Sequence, residues 1–255
     1  MQKAVEIKSA EELAAMRRAG SVTADILAHL KGIVAPGMTT GDIDKVAREE
    51  LKKRGAKPAF LNYHGFPAVI CLSINEEVVH GIPSPKRVLK DGDVLGLDFG
   101  CVIDRFYGDS AVTVGVGAIS PEAARLLRVT RESLEKGIAA VKNGARIGDV
   151  GAAVQAHAEA AGYGVVREFV GHGIGRALHE EPPIPNYGKP GAGPRLKTGM
   201  TIAIEPMVTL GSYEVETLAD GWTAVTKDRK LSAHFEHTVA VTEDGAEILT
   251  LPSAA

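Results

Sequence analysis

The sequence predicts an α+β protein built as two related halves, with helices packed on a shared antiparallel sheet. A repeated segment, helix signals beside both copies and strand-like runs after each helix pair lead to that class. One copy reads Val34-Ala35-Pro36-Gly37-Met38-Thr39-Thr40-Gly41-Asp42-Ile43. The other reads Val141-Lys142-Asn143-Gly144-Ala145-Arg146-Ile147-Gly148-Asp149-Val150. At an offset of 107 positions, Val34, Gly37, Gly41 and Asp42 meet identical residues, Ile43 meets Val150, and Gly55 meets Gly162. Such self-similarity marks a duplicated structural unit.

Each element follows from a local signal. Ser9 and Glu12 form a capping box that opens a helix running to about Lys31. Ile43 to Arg54 reads as the second helix. Ser120 followed by Pro121 caps a third helix, with proline at its first position. Val150 to Ala161 is the fourth. Runs rich in β-branched residues predict strands over 68–74, 94–102 and 106–114, and again over 165–170, 200–210, 223–225, 234–241 and 247–250. Nothing resembling a linker separates the copies, so residues 1–255 read as one domain with halves of roughly 1–115 and 116–255. Gly188 to Pro194 reads as a surface loop.

Composition narrows the classes. Hydrophobic residues are 45% and charged residues 24%, with a net charge of -3, which suits a globular chain and no polyanion partner. The Met1-Gln2-Lys3 start lacks the apolar core of a signal peptide, and no stretch is apolar enough to span a membrane. Cys71 and Cys101 do not form a disulfide framework or a Cys-x-x-Cys metal pair. A reducing, cytoplasmic setting is the expectation.

Chemistry concentrates where charge does not belong. Asp98 lies in Val94-Leu95-Gly96-Leu97-Asp98-Phe99, a hydrophobic strand, and Asp109 lies in the next one. A hairpin turning between Ile103 and Asp104 would set them directly opposite, with Cβ atoms about 4.5–5.5 Å apart. A turn centred on Asp104-Arg105 would shift that register. Taken alone, one aspartate could cap a turn and the other pair with Arg105. Glu205, in Ile202-Ala203-Ile204-Glu205-Pro206, and Glu236, in His234-Phe235-Glu236-His237-Thr238, repeat the anomaly. Four separate buried ion pairs are a poor account of four such acids. His172, in Gly171-His172-Gly173, adds an imidazole at a point where backbone can crowd a ligand. Four acids and one imidazole suit a pair of divalent cations sharing bridging carboxylates and a water acidified to hydroxide. The donors favour Mn, Co, Fe or Zn. His80 and His179, taken alone, read more readily as surface or turn residues.

These motifs, with Asn75-Glu76-Glu77-Val78-Val79-His80-Gly81 and His179-Glu180-Glu181-Pro182, resemble type I methionine aminopeptidases of the pita-bread fold, in the short bacterial form, over nearly the whole chain. The resemblance implies a two-metal hydrolase that removes the N-terminal methionine from nascent chains with a small second residue. It implies that Asp98 binds the first metal, Asp109 and Glu236 bridge both, and His172 and Glu205 hold the second. Glu205 also manages the water proton. His80 would meet the substrate's N-terminal region and His179 the scissile amide. The methionine side chain would sit against Tyr63, Phe66, Cys71 and Trp222, with His64 nearby. Aromatic and sulfur walls suit a thioether. Partners implied are nascent N-termini and the ribosome, with no nucleic acid or membrane and a monomeric chain. Phe66, His234 and Leu178 depart from the usual tyrosine, glutamine and phenylalanine; Leu178 is expected to loosen one pocket wall, and none is expected to touch a metal ligand. Two other readings keep the fold: an X-Pro peptidase, whose relatives usually carry a further N-terminal domain, and a binding protein that has lost its metals.

Overall fold

The computed structural model describes residues 5–253; residues 1–4, with the charged N-terminal start read above, and 254–255 lie outside the described residues. The chain forms α1 (Ala10–Ile33), α2 (Thr40–Lys53), β1 (Lys57–Pro58), β2 (Ile70–Ile74), β3 (Glu77–Val79), β4 (Val94–Ile103) and β5 (Phe106–Gly115). The second half supplies α3 (Pro121–Ala139), α4 (Ile147–Ala160), β6 (Gly164–Val165), β7 (Gly171–Gly173), β8 (Glu180–Ile184), β9 (Thr201–Ile204) and β10 (Met207–Thr209). It ends with β11 (Val215–Thr217), β12 (Ala224–Thr226), β13 (Ser232–His234), β14 (Glu236–Val241) and β15 (Ala246–Ile248). A nine-stranded sheet runs β1-β4-β5-β14-β9-β7-β8, with β2 on β4 and β15 on β14. Two three-stranded sheets, β13-β10-β6 and β11-β12-β3, flank it, and the strand pairs throughout are antiparallel.

The duplication is exact over the second helix of each half. Helices α2 and α4 begin and end 107 positions apart, and the isolated bridges Thr39–Val88 and Arg146–Arg195 share that offset. Gly37 and Gly144 both take left-handed backbone, at φ 89° and 83°, which glycine adopts without a side-chain clash. The repeated Gly-Asp lies inside each helix rather than before it, so both helices start earlier than Ile43 and Val150. Asp42 and Asp149 occupy the third helical position and accept hydrogen bonds from the backbone N–H groups of Thr39 and Arg146, at 3.0 and 2.8 Å. Each carboxylate satisfies a donor that the helix start leaves free. Ser9 and Glu12 make their expected capping box, and Ser120 caps α3.

Each helix pair buries its own apolar layer against its half of the sheet. Ile26, Leu30, Ile43 and Leu51 pack with Leu72, Leu95, Leu97 and Phe99. Leu126, Val129, Val150 and Ala158 pack with Ile202, Ile204, Val239 and Val241.

Several strand expectations are corrected. The 200–210 run splits into β9 and β10, because Pro206 has no N–H to give the ladder and the Glu205 carbonyl is taken by Asn186 Nδ2 at 3.0 Å. The 234–241 run splits at Phe235. Of the 165–170 run only Val165 lies in a strand, with Val166 N donating to Met207 O at 3.0 Å beyond it, and β7 starts at Gly171. The β4–β5 hairpin turns on Asp104-Arg105, both at positive φ, so Asp98 faces Ala111 and Asp109 faces Gly100. Of the two registers left open, the shifted one is correct.

The halves join where β5 meets β14. That ladder has only two paired positions, Glu236 with Ala111 and His237 with Ser110. Side chains extend it. Thr238 Oγ1 accepts from Asp109 N at 3.2 Å and donates to Asp109 O at 2.8 Å, and Thr113 Oγ1 does the same for the backbone of His234, at 2.9 Å each. Thr238→Val keeps the shape but orphans a buried N–H and carbonyl. It is expected to cost about 1–3 kcal/mol in urea unfolding of the metal-free protein, with an unchanged denaturant slope.

Candidate metal centre

Strand register alone assembles most of the site. Cys71 pairs with Asp98, Asp98 with Ala111, and Ala111 with Glu236. The β9–β14 and β10–β13 ladders share one register, which sets Glu205 opposite Glu236 at the step between them. Residues opposite one another project from the same face. One row across β2, β4, β5, β14 and the end of β9 therefore carries Cys71, Asp98, Glu236 and Glu205. Asp109 is two residues from Ala111 and shares its face. His172 joins from β7, beside Ala203, because Gly173 pairs with Ile202. The offset of 107 also carries Asp98 onto Glu205, a signal present in the sequence but visible only when the repeat is followed past its helices.

The five residues converge. Asp109, His172 and Glu236 each offer a ligand atom within 4.8 Å of one another. His172 Nε2 lies 3.6 Å from Glu205 Oε1 and 4.0 Å from Asp109 Oδ2. Its Nδ1 donates to the Gly173 carbonyl at 2.9 Å, leaving the Nε2 lone pair free. Asp98 Oδ1, Asp109 Oδ1 and Glu236 Oε1 are buried with no hydrogen-bond partner among the described residues. Burial raises the Asp98 carboxyl to about 7. Burial also lifts Asp109, Glu205 and Glu236 well above the usual carboxylate range, and the charges of neighbouring acids add to it. Burial lowers His172 to about 3, so its ring is neutral. Unpartnered oxygens, mutual repulsion and a neutral imidazole with one free nitrogen are the environment that divalent cations relieve.

His234 is a departure whose setting was not anticipated. The expectation is that it touches no metal ligand, yet its buried Nε2, without a hydrogen-bond partner among the described residues, stands 3.7 Å from Glu205 Oε2. Glu205 thus lies between two imidazoles. His234 precedes Glu236 by two residues, much as Asp109 precedes Ala111 in the facing strand.

A cavity of about 160 Å³ opens onto the cluster. Its walls include Tyr63, Phe66, Cys71, His80, His179 and Trp222, all read from the sequence, together with Leu178. Phe60 also lines it and was missed, since nothing distinguishes it from a core aromatic before folding. His64 does not line it; its ring sits edge-on against Tyr63 at 4.5 Å. Trp222 crosses Phe66 at 5.1 Å and His80 at 6.2 Å, ring centre to ring centre. Burial lowers His80 to about 4, with the charge of His179 a smaller influence. A larger groove of about 720 Å³ lies on the opposite face of the sheet, between α1 and α3, and is lined by none of the four acids or His172.

Fold and site together define a metallopeptidase. The model of metallopeptidase family M24 matches residues 14–243, and the chain belongs to that family. It is 53% identical over 247 residues to methionine aminopeptidase A of Synechocystis, covering 97% of this chain and 98% of that one. It is 50% identical over 245 residues to the methionine aminopeptidase of Clostridium acetobutylicum, covering 96% and 98%. Among solved structures, the methionine aminopeptidase of Rickettsia prowazekii superposes with a TM-score of 0.96 at 43% identity, over 97% of this chain and 100% of that one. The fold extends to a prolidase of Pyrococcus horikoshii, with a TM-score of 0.77 at 21% identity, of which this chain covers 64%. The pita-bread expectation is met.

The raised acids set a pH dependence. The folded state holds their protons more tightly than the unfolded chain does, so their contribution is complete below the ordinary carboxylate pKa of about 4. For Asp98 it is lost as pH rises through about 7. The buried imidazoles oppose this: His172 and His234, lowered to about 3, and His80 and His237, lowered to about 4, bind protons in this range only in the unfolded chain, so they add stability as pH rises toward about 6.5. The share of the acids is read against Asp98→Asn: the melting temperature of the metal-free protein, taken relative to that variant, should fall from about pH 4 to about pH 7. Added Mn²⁺ or Co²⁺ should abolish that decline; calorimetry at both ends of the range checks it.

Proposed function

We propose that this protein is a methionine aminopeptidase that hydrolyses the peptide bond after an N-terminal methionine when the second residue is small. The carrying observation is a small aromatic and sulfur-walled cavity that ends on buried acids with unpartnered oxygens. The curated relatives of about the same length bear the same name.

Asp98, Asp109, His172, Glu205 and Glu236 would hold two divalent ions drawn from Mn, Co, Fe and Zn, with Asp109 and Glu236 shared. Bound there, such ions supply an acidified water and polarise the scissile carbonyl. Glu205, which lies between the imidazoles of His172 and His234, would take the proton released from that water. His179 stands at the cavity wall as a hydrogen-bond donor to the developing oxyanion. His80, neutral through burial, meets the substrate's N-terminal region. Tyr63, Phe66, Cys71, Leu178 and Trp222 enclose the methionine side chain, and a pocket this small leaves no room for residues upstream of it. Substrates are the N-termini of new polypeptides. The finer expectations of a monomer acting in the cytoplasm on chains leaving the ribosome belong to the same proposal. Two buried free cysteines support the reducing compartment.

Steady-state assays on Met-Gly-Met and on X-Pro peptides test the reading. Faster cleavage of X-Pro substrates would assign the other peptidase class. Asp98→Ala and His172→Ala should each nearly abolish turnover and weaken Mn²⁺ binding while the circular dichroism spectrum is kept. Wild-type kcat in either variant would remove that residue from the centre. His179→Ala should lower kcat about 100-fold with metal affinity little changed. An equal fall in metal affinity would refute its role.

A further inference from the structure

Tyr63 lies on the cavity wall, and its ring alone would serve there. Its hydroxyl has a separate partner: Oη stands 2.6 Å from Nδ1 of His179. The His179 ring in turn packs edge-on against His172, with centres 4.2 Å apart. Both ends of the Tyr63–His179 hydrogen bond are held. Tyr63 sits in a tight turn between two left-handed residues, Asn62 at φ 65° and His64 at φ 48°. That turn is closed by Asn62 N to Phe66 O at 2.8 Å, Tyr63 N to Phe60 O at 2.9 Å and Phe66 N to Tyr63 O at 2.9 Å. On the other side, Glu180 accepts from the backbone N–H groups of Arg176 and Ala177, at 2.7 and 3.2 Å, and pairs with the buried Lys8. The backbone carrying His179 is pinned just before and just after it.

We propose that Tyr63 is a positioning residue for His179: its hydroxyl fixes the imidazole plane and keeps a proton on Nε2, the nitrogen left free to face substrate. This rests on the oxyanion-donor role given to His179 above. A phenol is the better donor of this pair and an unprotonated imidazole nitrogen the better acceptor, so the neutral ring receives the O–H at Nδ1 and carries its own proton on Nε2. A protonated ring carries one on both nitrogens. Either way Nε2 donates. Without the hydroxyl, the neutral ring is free to place its proton on Nδ1 or to turn, and Nε2 is then an acceptor pointing at an oxyanion. Tyr63 acts through His179 and does no chemistry of its own.

Tyr63→Phe keeps the wall and removes only the hydroxyl. With Met-Gly-Met it should lower kcat about tenfold or more with KM nearly unchanged. In a His179→Ala background the same change should have no further effect on kcat, because the group it positions is gone. Nitrogen NMR of the metal-free protein should find His179 in the Nε2–H form, and in a mixture of forms after Tyr63→Phe. Unchanged kcat in Tyr63→Phe, a rise in KM alone, or an equal loss in both backgrounds would overturn the proposal. Wild-type kcat in His179→Ala would overturn the donor role of His179 instead. The NMR result would then still show whether the hydrogen bond sets the tautomer.

Discussion

Four carboxylates held on one buried sheet face lose their hydration and repel one another, and this constraint organises the rest of the molecule. Left to themselves, the acids would protonate or force the strands apart. The sheet keeps them together because Asp98, Asp109 and Glu236 sit in ladders whose backbone bonds are made along the strands, and Glu205 lies in the step between two strands with its carbonyl held by Asn186. The threonine bonds across the β5–β14 seam hold the backbone at Asp109 and beside Glu236. Cations on that face convert the repulsion into binding, so the fold's least comfortable region is the one that gains most from metal.

Duplication explains how such a site arises from ordinary parts. Each half contributes a helix pair, a hairpin-like pair of strands and one acid at equivalent places, Asp98 and Glu205. Where the copies meet, symmetry breaks. The central row pairs Ala111 with Glu236, and Thr238 and Thr113 reach across the seam to the backbones of Asp109 and His234. The small side chain of Ala111 leaves room there, while His172 from β7 and His234 from β13 flank Glu205.

The second half also carries the cavity. The segment between β10 and β14 brings Trp222 over Phe66 and His80, closing one side. The turn at Tyr63 and the loop at His179 close another, and the short bond between them ties wall to reacting centre. Specificity and chemistry are therefore coupled through shared residues, which limits how freely either can vary.

The sequence by itself determined the helices, the duplication and the identity of the buried acids, because caps, glycine positions and charges inside apolar strands are local facts. Even there, boundaries slipped: Asp42 and Asp149 read as residues before a helix, when they are the residues that stabilise its first turn. Tertiary structure decided the rest. The hairpin register depended on whether Asp104 and Arg105 both entered left-handed backbone, which no periodicity reveals. The placing of His234 beside Glu205, the membership of Phe60 in the cavity wall and the bond from Tyr63 to His179 each join residues far apart in the chain. Such pairings are set by how strands align across the seam between halves. A one-residue slip there would set Glu205 and Glu236 on the face opposite Asp98 and Asp109, and only the packed sheet excludes it.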